Sequence, residues 1–455
     1  MSGLVNGLTR QLAEFASSLE PKKVPEKALE TAKRGFIDCV GVMFAGRDQP
    51  VVGFVQKLFG SSGPGEATIL YDKGKTRSAD AALINATAAH ALDYDDVGID
   101  GHPSVVLVPA ILAEGERLGV SGAELTTAYV AGYECWAELS SRDADPHHGK
   151  GWHPTAVFGA VGAAAAAARL ARLDAARTAY AIGIAASMSA GLVANFGSMT
   201  KPFQAGRAAQ SGITAARLAA AGMTSSPDAL EHKGGMLAAF SPKGNVRLDG
   251  EIKAGREWHI LKLGLNVKRY PVCYALHRSI DGLLGLKSKN DFSIEKIKEI
   301  ELTIGKLQAG VLRHSRPQTG LDAKFSAEFA AAASVVAGRV GLGELTDEFV
   351  RSKPVQSLLP KVRVTTVDAS DPLEPLFAPE DSVTVRLADG RSLASGPVRY
   401  AKGHARNPID LDELRAKFDD CLGASLPSGR RDGLFERLRG LEKLPAAASL
   451  YAEGA

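Results

Sequence analysis

The feature that most constrains the fold is a change in the spacing of apolar residues near residue 266. From about Gly3 to about Leu265, apolar residues recur at helical spacing, as in EKALETAKRGFIDCVGVMFAG, SADAALINATAAHALDYDD and SGAELTTAYVAGYECWAEL. Many of them are alanine or glycine, and helices with small side chains can approach one another closely. This part of the sequence therefore predicts a large all-helical domain.

Beyond residue 266 the apolar spacing becomes alternating. IEKIKEIELTIG and PKVRVTTVD predict strands, and DSVTVRLADGRSLASGPV predicts two strands around an Asp-Gly turn. AKFSAEFAAAASVVAGRVG predicts a helix between them, and NPIDLDELRAKFDDCL starts a helical C-terminal part. The expected fold is mostly α with a smaller α+β domain. Residues 1–265 and 400–455 form the helical domain, which is discontinuous in sequence, and residues 266–399 form a smaller, lid-like α+β domain.

Length and charge limit the classes of function. A chain of 455 residues is expected to form two domains. The net charge is +3, and basic and acidic residues are interspersed, so a nucleic-acid partner is not expected. A small acidic substrate remains compatible, because it needs only a local basic pocket.

Cysteine usage and hydropathy indicate a cytoplasmic protein. The cysteines form no C-x-x-C pair, which argues against zinc ribbons and iron–sulfur clusters; they are Cys39, Cys135, Cys273 and Cys421. The N-terminal residues do not show the pattern of a secretory signal. The alanine-rich stretch TAVFGAVGAAAAAARLARL predicts a buried helix rather than a membrane span, and no membrane partner is expected.

Two histidines stand directly before a proline, His102 before Pro103 and His153 before Pro154. Proline disfavours the α conformation in the preceding residue, so both histidines are expected where a loop enters a helix. Loops on a rigid scaffold often carry catalytic groups. The alternative is that each histidine only caps a helix or fills a polar gap.

The run Asp93-Tyr94-Asp95-Asp96 precedes the first of these histidines. Its spacing does not match a calcium loop, so no metal site is predicted there. Acidic side chains at the C-terminal end of a helix oppose the helix dipole. We expect a carboxylate, at least that of Asp93, to orient a histidine; the alternative is a solvated helix end.

Two basic segments are candidates for binding an anion. Lys201 precedes Pro202 at an expected helix start, where the ammonium and the first backbone amides could hold a substrate carboxylate. Lys268 and Arg269 precede a helix that carries His277. Taken singly, Lys201 could be a solvated loop residue, the second pair a solvated charge pair, and His277 a core or surface residue.

Seven motifs along the chain occur together in a characteristic order and spacing: HALDYDDVGIDGHPSVVLVPA, GWHPTAVFGAVGAAAAAARL, KPFQAGRAAQSG, LEHKGGML, VKRYPVCYALHRSID, DAKFSAEFAAAA and KGHARNPID. In these motifs the sequence resembles the MmgE/PrpD family over essentially its whole length. The family includes 2-methylcitrate dehydratases, cis-aconitate decarboxylases and an iminodisuccinate epimerase. The resemblance implies a helical domain discontinuous in sequence, a lid-like α+β domain, a homodimer, and no metal or organic cofactor.

The resemblance also assigns site residues. It implies catalytic roles for Asp93, His102, His153, Lys201 and His277, and substrate-binding roles for Tyr94, Lys268 and Arg269. Two positions depart from the pattern of members that act on cis-aconitate. Val97 stands where those members have threonine, and Gln204 stands where a histidine is often found. Both changes alter a polar contact, so we expect a substrate other than cis-aconitate.

These residues suit reactions that develop negative charge on the carbon next to a carboxylate. Lysines, here Lys201 with Lys268, would stabilise that charge, and histidines exchange protons near neutral pH. We expect a cofactor-independent hydro-lyase of the 2-methylcitrate dehydratase type. The alternatives are an epimerase or isomerase, a decarboxylase, or an inert homologue that serves as a binding module. Retention of all the family's catalytic residues favours an enzyme, and the lack of G-x-G-x-x-G and G-x-S-x-G argues against redox or hydrolytic chemistry.

Overall fold

The computed structural model describes residues 7–61, 65–72 and 74–451. The expected start of the helical region near Gly3 lies outside these residues. The chain forms two compact units, one of residues up to Asn266 together with those from Asp410 onward, and one of Val267–Ile409. The expected fold class, mostly α with a smaller α+β part, is confirmed.

Among its described residues, the first unit contains α-helices and one short antiparallel strand pair, β1 (Ala67–Thr68) with β2 (Lys75–Thr76). The boundaries agree with the apolar spacing in most places; for example, the second helix begins directly after Pro25 and ends at Gly46. The α-helices are α1 Leu8–Ser18, α2 Glu26–Gly46, α3 Pro50–Phe59, α4 Ser78–His90, α5 Pro103–Leu118, α6 Gly122–Ser140, α7 Pro154–Leu170, α8 Ala175–Met188, α9 Thr200–Ala220, α10 Met236–Phe240, α11 His259–Leu263, α18 Leu411–Leu422 and α19 Ser428–Arg439.

Helix α7 is the centre of this unit. Every one of its residues is buried, and it packs against α5, α6, α8 and α9. A Cβ at Gly212 of α9 would lie 2.4 Å from the Cβ of Ala163 in α7, so glycine is required for this close approach. Across the described residues, no helix is long and apolar enough to cross a membrane.

A second close approach fixes α9 against α4. A Cβ at Gly206 would lie 2.6 Å from the Leu83 carbonyl oxygen, so a larger residue there would separate the two helices. Helix α4 ends at His90 and α9 begins at Thr200. The contact therefore sets the spacing between the end of α4 and the first turn of α9, where the histidines, aspartates and lysine described below are found.

The prediction that α4 continues through the Asp93–Asp96 run was wrong. The helix ends at His90, and Asp93 has a φ of 52°, in the left-handed region. Aspartate tolerates this conformation better than most residues, because its short polar side chain can bond locally. The three acids therefore lie on an irregular segment and not along one helix.

The second unit contains a mixed four-stranded sheet in the order β4-β3-β5-β6. Strands β3 (Ile297–Gly305) and β4 (Val362–Val367) are parallel, while β5 (Ser382–Leu387) runs antiparallel to β3 and to β6 (Ser392–Ala394). The strands and the Asp-Gly turn before β6 were predicted from the sequence. The helices of this unit are α12 His277–Lys289, α13 Lys306–Gly310, α14 Gly320–Ala323, α15 Ala327–Val336, α16 Asp347–Val350 and α17 Lys353–Leu358.

Candidate active site

The segment between α4 and α5 carries most of the predicted acids and ends at His102. Its tip is a two-residue turn, in which the backbones of Gly98 and Gly101 exchange hydrogen bonds of 2.8 and 2.9 Å. Ile99 and Asp100 in the turn have φ values of 45° and 64°, the signs of a type I′ turn. A β-branched residue is disfavoured there, so the surrounding structure holds Ile99 in a strained conformation.

His102 lies at the start of α5, as the following proline predicts. Its backbone N–H donates to Thr155 Oγ1 at 3.1 Å, which ties it to α7. The imidazole Nδ1 is 2.7 Å from Asp95 Oδ2, and Nε2 is 3.9 Å from Asp93 Oδ1. The carboxylate closest to this imidazole is therefore Asp95, a residue for which the sequence suggested no separate role.

Asp95 contacts a second imidazole that the sequence analysis missed. His90, the last residue of α4, places Nδ1 2.9 Å from Asp95 Oδ1 and 3.1 Å from Oδ2. The His90 and His102 rings are 4.5 Å apart, edge to face. Burial alone would raise the pKa of Asp95, but the two imidazoles outweigh it and hold that pKa well below its ordinary value. Asp95 is therefore an ionised carboxylate between two histidines.

Lys201 lies in the first turn of α9, directly before Pro202, where proline is tolerated. Its Nζ donates to Asp93 Oδ1 at 2.6 Å, and both side chains are buried. The ammonium also lies 5.0 Å from the centre of the Phe196 ring. Asp93 therefore pairs with the lysine while remaining within 4 Å of His102 Nε2.

His153 lies at the start of α7, again directly before a proline. Its backbone N–H donates to the Gly191 carbonyl oxygen, and its Nδ1 is 2.7 Å from Gln204 Oε1. The Gln204 amide donates in turn to the Leu192 carbonyl oxygen at 3.3 Å, so Oε1 is the acceptor for His153. Nδ1 must then carry the proton. Nε2 of His153 is buried and has no hydrogen-bond partner among the described residues.

The surroundings of His102 and His153 keep both imidazoles unprotonated at neutral pH. Burial lowers the pKa of His102 to about 4, although Asp95 opposes the shift. Burial, together with the charges of His90 and Lys201, lowers the pKa of His153 well below its ordinary value. A neutral imidazole with hydrogen on Nδ1 presents a lone pair at Nε2. Each histidine can therefore accept a proton.

Four of these side chains offer atoms that could bind a metal ion. Potential ligand atoms of His90, Asp93, Asp95 and His102 lie within 4.8 Å of one another. A mixed nitrogen and oxygen set of this kind would suit zinc or iron(II). However, the ammonium of Lys201 already pairs with Asp93, and two imidazoles already bond Asp95. The donor set therefore fits charge pairing within the protein better than it fits a divalent cation.

Tyr94, a predicted substrate-binding residue, contacts a different part of the first unit. Lys417 of α18 donates to its carbonyl oxygen at 2.8 Å, and the same ammonium lies 4.0 Å from the centre of its ring. Lys417 also pairs with Asp38 of α2 at 2.6 Å. These contacts anchor the segment between α4 and α5 to the C-terminal helices.

The other predicted residues belong to the second unit. Lys268 is buried and Arg269 is exposed, with its guanidinium 5.9 Å from the centre of the Tyr270 ring. His277 is fully buried at the start of α12, where its ring lies 5.1 Å from that of Tyr270 and 4.9 Å from that of Tyr274. Their predicted roles stay predictions.

Comparison with known proteins gives relatives along the whole chain. The mouse cis-aconitate decarboxylase is 26% identical over 433 residues, which cover 91% of this chain and 86% of the relative. The human cis-aconitate decarboxylase is 25% identical over 458 residues, covering 97% and 93%. A cis-aconitate decarboxylase of Aspergillus terreus is 24% identical over 470 residues, covering 97% and 95%.

The family comparison covers both units. Residues 10–249 match the MmgE/PrpD N-terminal domain, and residues 270–438 match the MmgE/PrpD C-terminal domain. Together the two matches contain every residue that the sequence resemblance assigned to the site, apart from Lys268 and Arg269. The chain belongs to the MmgE/PrpD family.

Proposed function

We propose that the protein is a lyase that acts on a small di- or tricarboxylate without a metal or organic cofactor. The observation that carries this proposal is the buried ion pair of Lys201 with Asp93, directly beside the neutral imidazole of His102. A buried cation next to an unprotonated base is what proton removal from the carbon beside a carboxylate requires. Relatives that are named as cis-aconitate decarboxylases support the lyase class.

Lys201 stabilises the charge that develops in the reaction. An ammonium carries three N–H donors, so Asp93 can orient it while it also binds a substrate carboxylate. When the carbon beside that carboxylate loses a proton, negative charge moves onto the carboxylate oxygens. The fixed ammonium then interacts more strongly with the transition state than with the bound substrate.

The histidines move the protons. In a dehydration, the Nε2 lone pair of His102 or His153 takes the proton from carbon, the C–H electrons form the double bond, and the C–O bond breaks. The imidazolium formed in the first step, or a water, supplies the proton that converts the leaving hydroxide into water. We propose this hydro-lyase reaction, of the 2-methylcitrate dehydratase type, as the chain's activity.

Decarboxylation is the second candidate, because each of the three relatives above is named as a cis-aconitate decarboxylase. In that reaction the bond to the departing carboxylate breaks, CO₂ leaves, and the carbon takes a proton from water that one of the neutral imidazoles relays. The same lysine would stabilise the same carbanion-like charge. An epimerase would use the same groups to remove a proton from one face and return it to the other.

The wider assignments follow from the family resemblance. We propose that Tyr94, Lys268 and Arg269 bind substrate, that His277 shares the acid–base work, and that the protein is a cytoplasmic homodimer. Light scattering on the purified protein tests the dimer, and a monomer at working concentration would contradict it.

An exchange experiment tests the reaction class. The protein is incubated in D₂O with a panel of di- and tricarboxylates, and NMR follows deuterium incorporation and product formation. We expect solvent deuterium at the carbon next to a carboxylate, and loss of water from at least one hydroxy acid. Conversion of cis-aconitate with release of CO₂ would favour the decarboxylase, and no exchange with any acid would favour the inert binding module.

Two controls separate this mechanism from a Schiff-base mechanism and from a metal-dependent one. The Lys201→Met protein should be inactive, and borohydride added with substrate should trap no adduct, because the lysine acts through its charge and not as a Schiff base. Activity should also survive EDTA. Loss of activity with EDTA that a divalent metal restores would contradict the cofactor-independent mechanism.

A further inference from the structure

We propose that His90 is a positioning residue that acts on His102 through Asp95, an inference that rests on the proposed function. The carboxylate of Asp95 stands between the two imidazoles, with His90 Nδ1 at 2.9 Å from one oxygen and His102 Nδ1 at 2.7 Å from the other. The sequence resemblance did not assign a role to either His90 or Asp95.

The hydrogen bonds determine where the protons lie. An ionised carboxylate only accepts hydrogen bonds, so each imidazole must donate from Nδ1. His102 is therefore held with its lone pair on Nε2, the nitrogen that lies 3.9 Å from Asp93 Oδ1 beside the Lys201 ammonium. The Asp96 carbonyl oxygen, 3.0 Å from the same Nδ1, also only accepts hydrogen bonds. Asp95 and this carbonyl together select the tautomer that can act as a base next to the cation.

His90 holds Asp95 in the orientation that makes this selection possible. Its Nδ1 lies within 3.1 Å of both carboxylate oxygens, which restricts rotation of the carboxylate. Its ring also packs edge to face against the His102 ring at 4.5 Å. Both imidazole and carboxylate are buried, so water cannot readily replace the hydrogen bond that His90 donates.

The same position makes His90 more than a packing residue. Its ring lies nearly parallel to that of His153, 5.9 Å away, so it lies close to both candidate bases. A residue that only filled space could be replaced by another side chain of similar size. A positioning residue requires a donor at the place of Nδ1, whatever the rest of the side chain is.

Two nearly isosteric variants separate these roles. In His90→Asn the amide nitrogen takes about the place of Nδ1 and can still donate to Asp95. In His90→Gln the amide nitrogen takes about the place of Nε2, and Asp95 loses its donor. With the acid that the exchange experiment identifies, we expect kcat within about threefold of wild type for His90→Asn. For His90→Gln we expect a fall in kcat of about 30-fold or more, with KM changed by less than about threefold in both.

His259 supplies a matched control in the same unit. It is also a buried imidazole bonded to a buried carboxylate, with Nε2 3.0 Å from Glu138 Oε2. His259→Gln keeps a donor at the Nε2 position and should leave kcat within about threefold. Equal kcat in His90→Gln and wild type, or an equal loss in His90→Asn and His90→Gln, would overturn the positioning role.

A measurement without substrate keeps this inference separate from the proposed function. Selective ¹⁵N labelling of histidine distinguishes ring nitrogens with and without hydrogen, and the His102 signals are assigned by their loss in His102→Asn. We expect His102 to carry hydrogen on Nδ1 at pH 7 in the wild-type and His90→Asn proteins, and to show both tautomers in His90→Gln. Failure of the proposed function would appear as a correct tautomer pattern in a protein that activates no acid.

If His90→Gln does not fold, the spectra of the wild-type and His90→Asn proteins still test the positioning role of His90. Hydrogen on Nε2 of His102, or a His90 Nδ1 without hydrogen, in the wild-type protein at pH 7 would overturn the proposal. So would a tenfold or larger loss of kcat in a folded His90→Asn protein. Unchanged His102 signals in a folded His90→Gln protein would likewise overturn it.

Discussion

Two aspartates in the first unit each contact two histidines, and they differ in what surrounds them. Asp95 contacts His90 and His102 and is fully buried. Asp100 contacts His147 at 3.0 Å and His148 at 3.5 Å, and its side chain is about one-third exposed. Burial alone would raise the pKa of Asp100, but its two imidazoles hold that pKa below its ordinary value, as His90 and His102 do for Asp95.

The groups around each aspartate distinguish a candidate catalytic site from a contact that only stabilises the fold. Beside Asp95 stand the Lys201–Asp93 pair and the imidazole of His153. Asp100 lies in the strained turn before His102, and its partner His147 reaches a second acid, Asp143, at 3.4 Å. Asp100 and its two histidines therefore stabilise the turn, whereas Asp95 and its two histidines lie beside a buried cation. A histidine–aspartate contact alone does not indicate catalysis.

The largest expected effect comes from removing the charge of each aspartate in turn. In Asp95→Asn the new amide N–H can donate to His102 Nδ1, whereas the Asp95 carboxylate only accepts. We expect this change to favour the wrong tautomer of His102 and to lower kcat by about 10³-fold or more. Asp100→Asn should change kcat by less than about fivefold, and should lower the melting temperature instead. Steady-state kinetics and thermal unfolding measure the two effects. Comparable losses of kcat in both variants would remove the distinction between the groups.

Removing single imidazoles should give the next largest effect. We expect His102→Ala and His153→Ala each to lower kcat by about 100-fold or more, because each removes a group that carries a proton. The double variant should lose less than the product of the two single losses if both act in one unit. His148→Ala, from the Asp100 group, is the matched control and should stay within about threefold. Near wild-type kcat in either of the first two variants would exclude that histidine from the mechanism.

Selectivity between substrates should change by about tenfold. Gln204 contacts His153, and Val97 lies in the segment between α4 and α5. The family resemblance implies threonine at this second position in members that act on cis-aconitate. A polar group left without a partner in a closed site costs about 1 to 3 kcal/mol. We expect the protein to prefer an acid with a methyl or no group where cis-aconitate has a carboxylate, and Val97→Thr to shift kcat/KM toward cis-aconitate. Efficient conversion of cis-aconitate by the unmodified protein would show that these positions do not set selectivity.

The smallest effect is expected from pH. A base with the ordinary histidine pKa of about 6.5 would be only about one-tenth unprotonated at pH 5.5, and kcat/KM would fall about tenfold. Because the pKa of His102 is lowered to about 4, its base form persists as the pH falls and is lost only near that value. We expect kcat/KM at pH 5.5, corrected for substrate ionisation, to stay within about twofold of its value at pH 7.5. An acid limb near pH 6.5 would contradict the environment described for His102.

The sequence predicted the helix starts at His102 and His153 because proline acts on its immediate neighbour. It could not distinguish Asp93 from Asp95, since both are aspartates in one short run. Their different partners depend on the positive φ of Asp93 and on Lys201, 108 residues away in the chain.

Other parts of the site left weaker signals in the sequence. The family resemblance alone connected Gln204 with the site, although its position three residues after Lys201 would place both on one face of a helix. His90 had no such signal, because a histidine within an alanine-rich helix is indistinguishable from a core residue until the helix end is known. The two-unit fold was easier to predict, because the apolar spacing extends over many residues.

The anchoring of Tyr94 by Lys417 has a consequence for biosynthesis. These residues are 323 positions apart, so the ribosome completes the acidic segment long before it makes the helix that fastens it. A nascent chain can fold much of its alanine-rich helical bundle. It cannot form the contacts of Lys417 with Tyr94 and Asp38 until α18 has emerged from the ribosome. A chain that stops before α18 would leave the segment around Asp95 without these contacts, so we expect catalytic activity to appear only once α18 has left the ribosome.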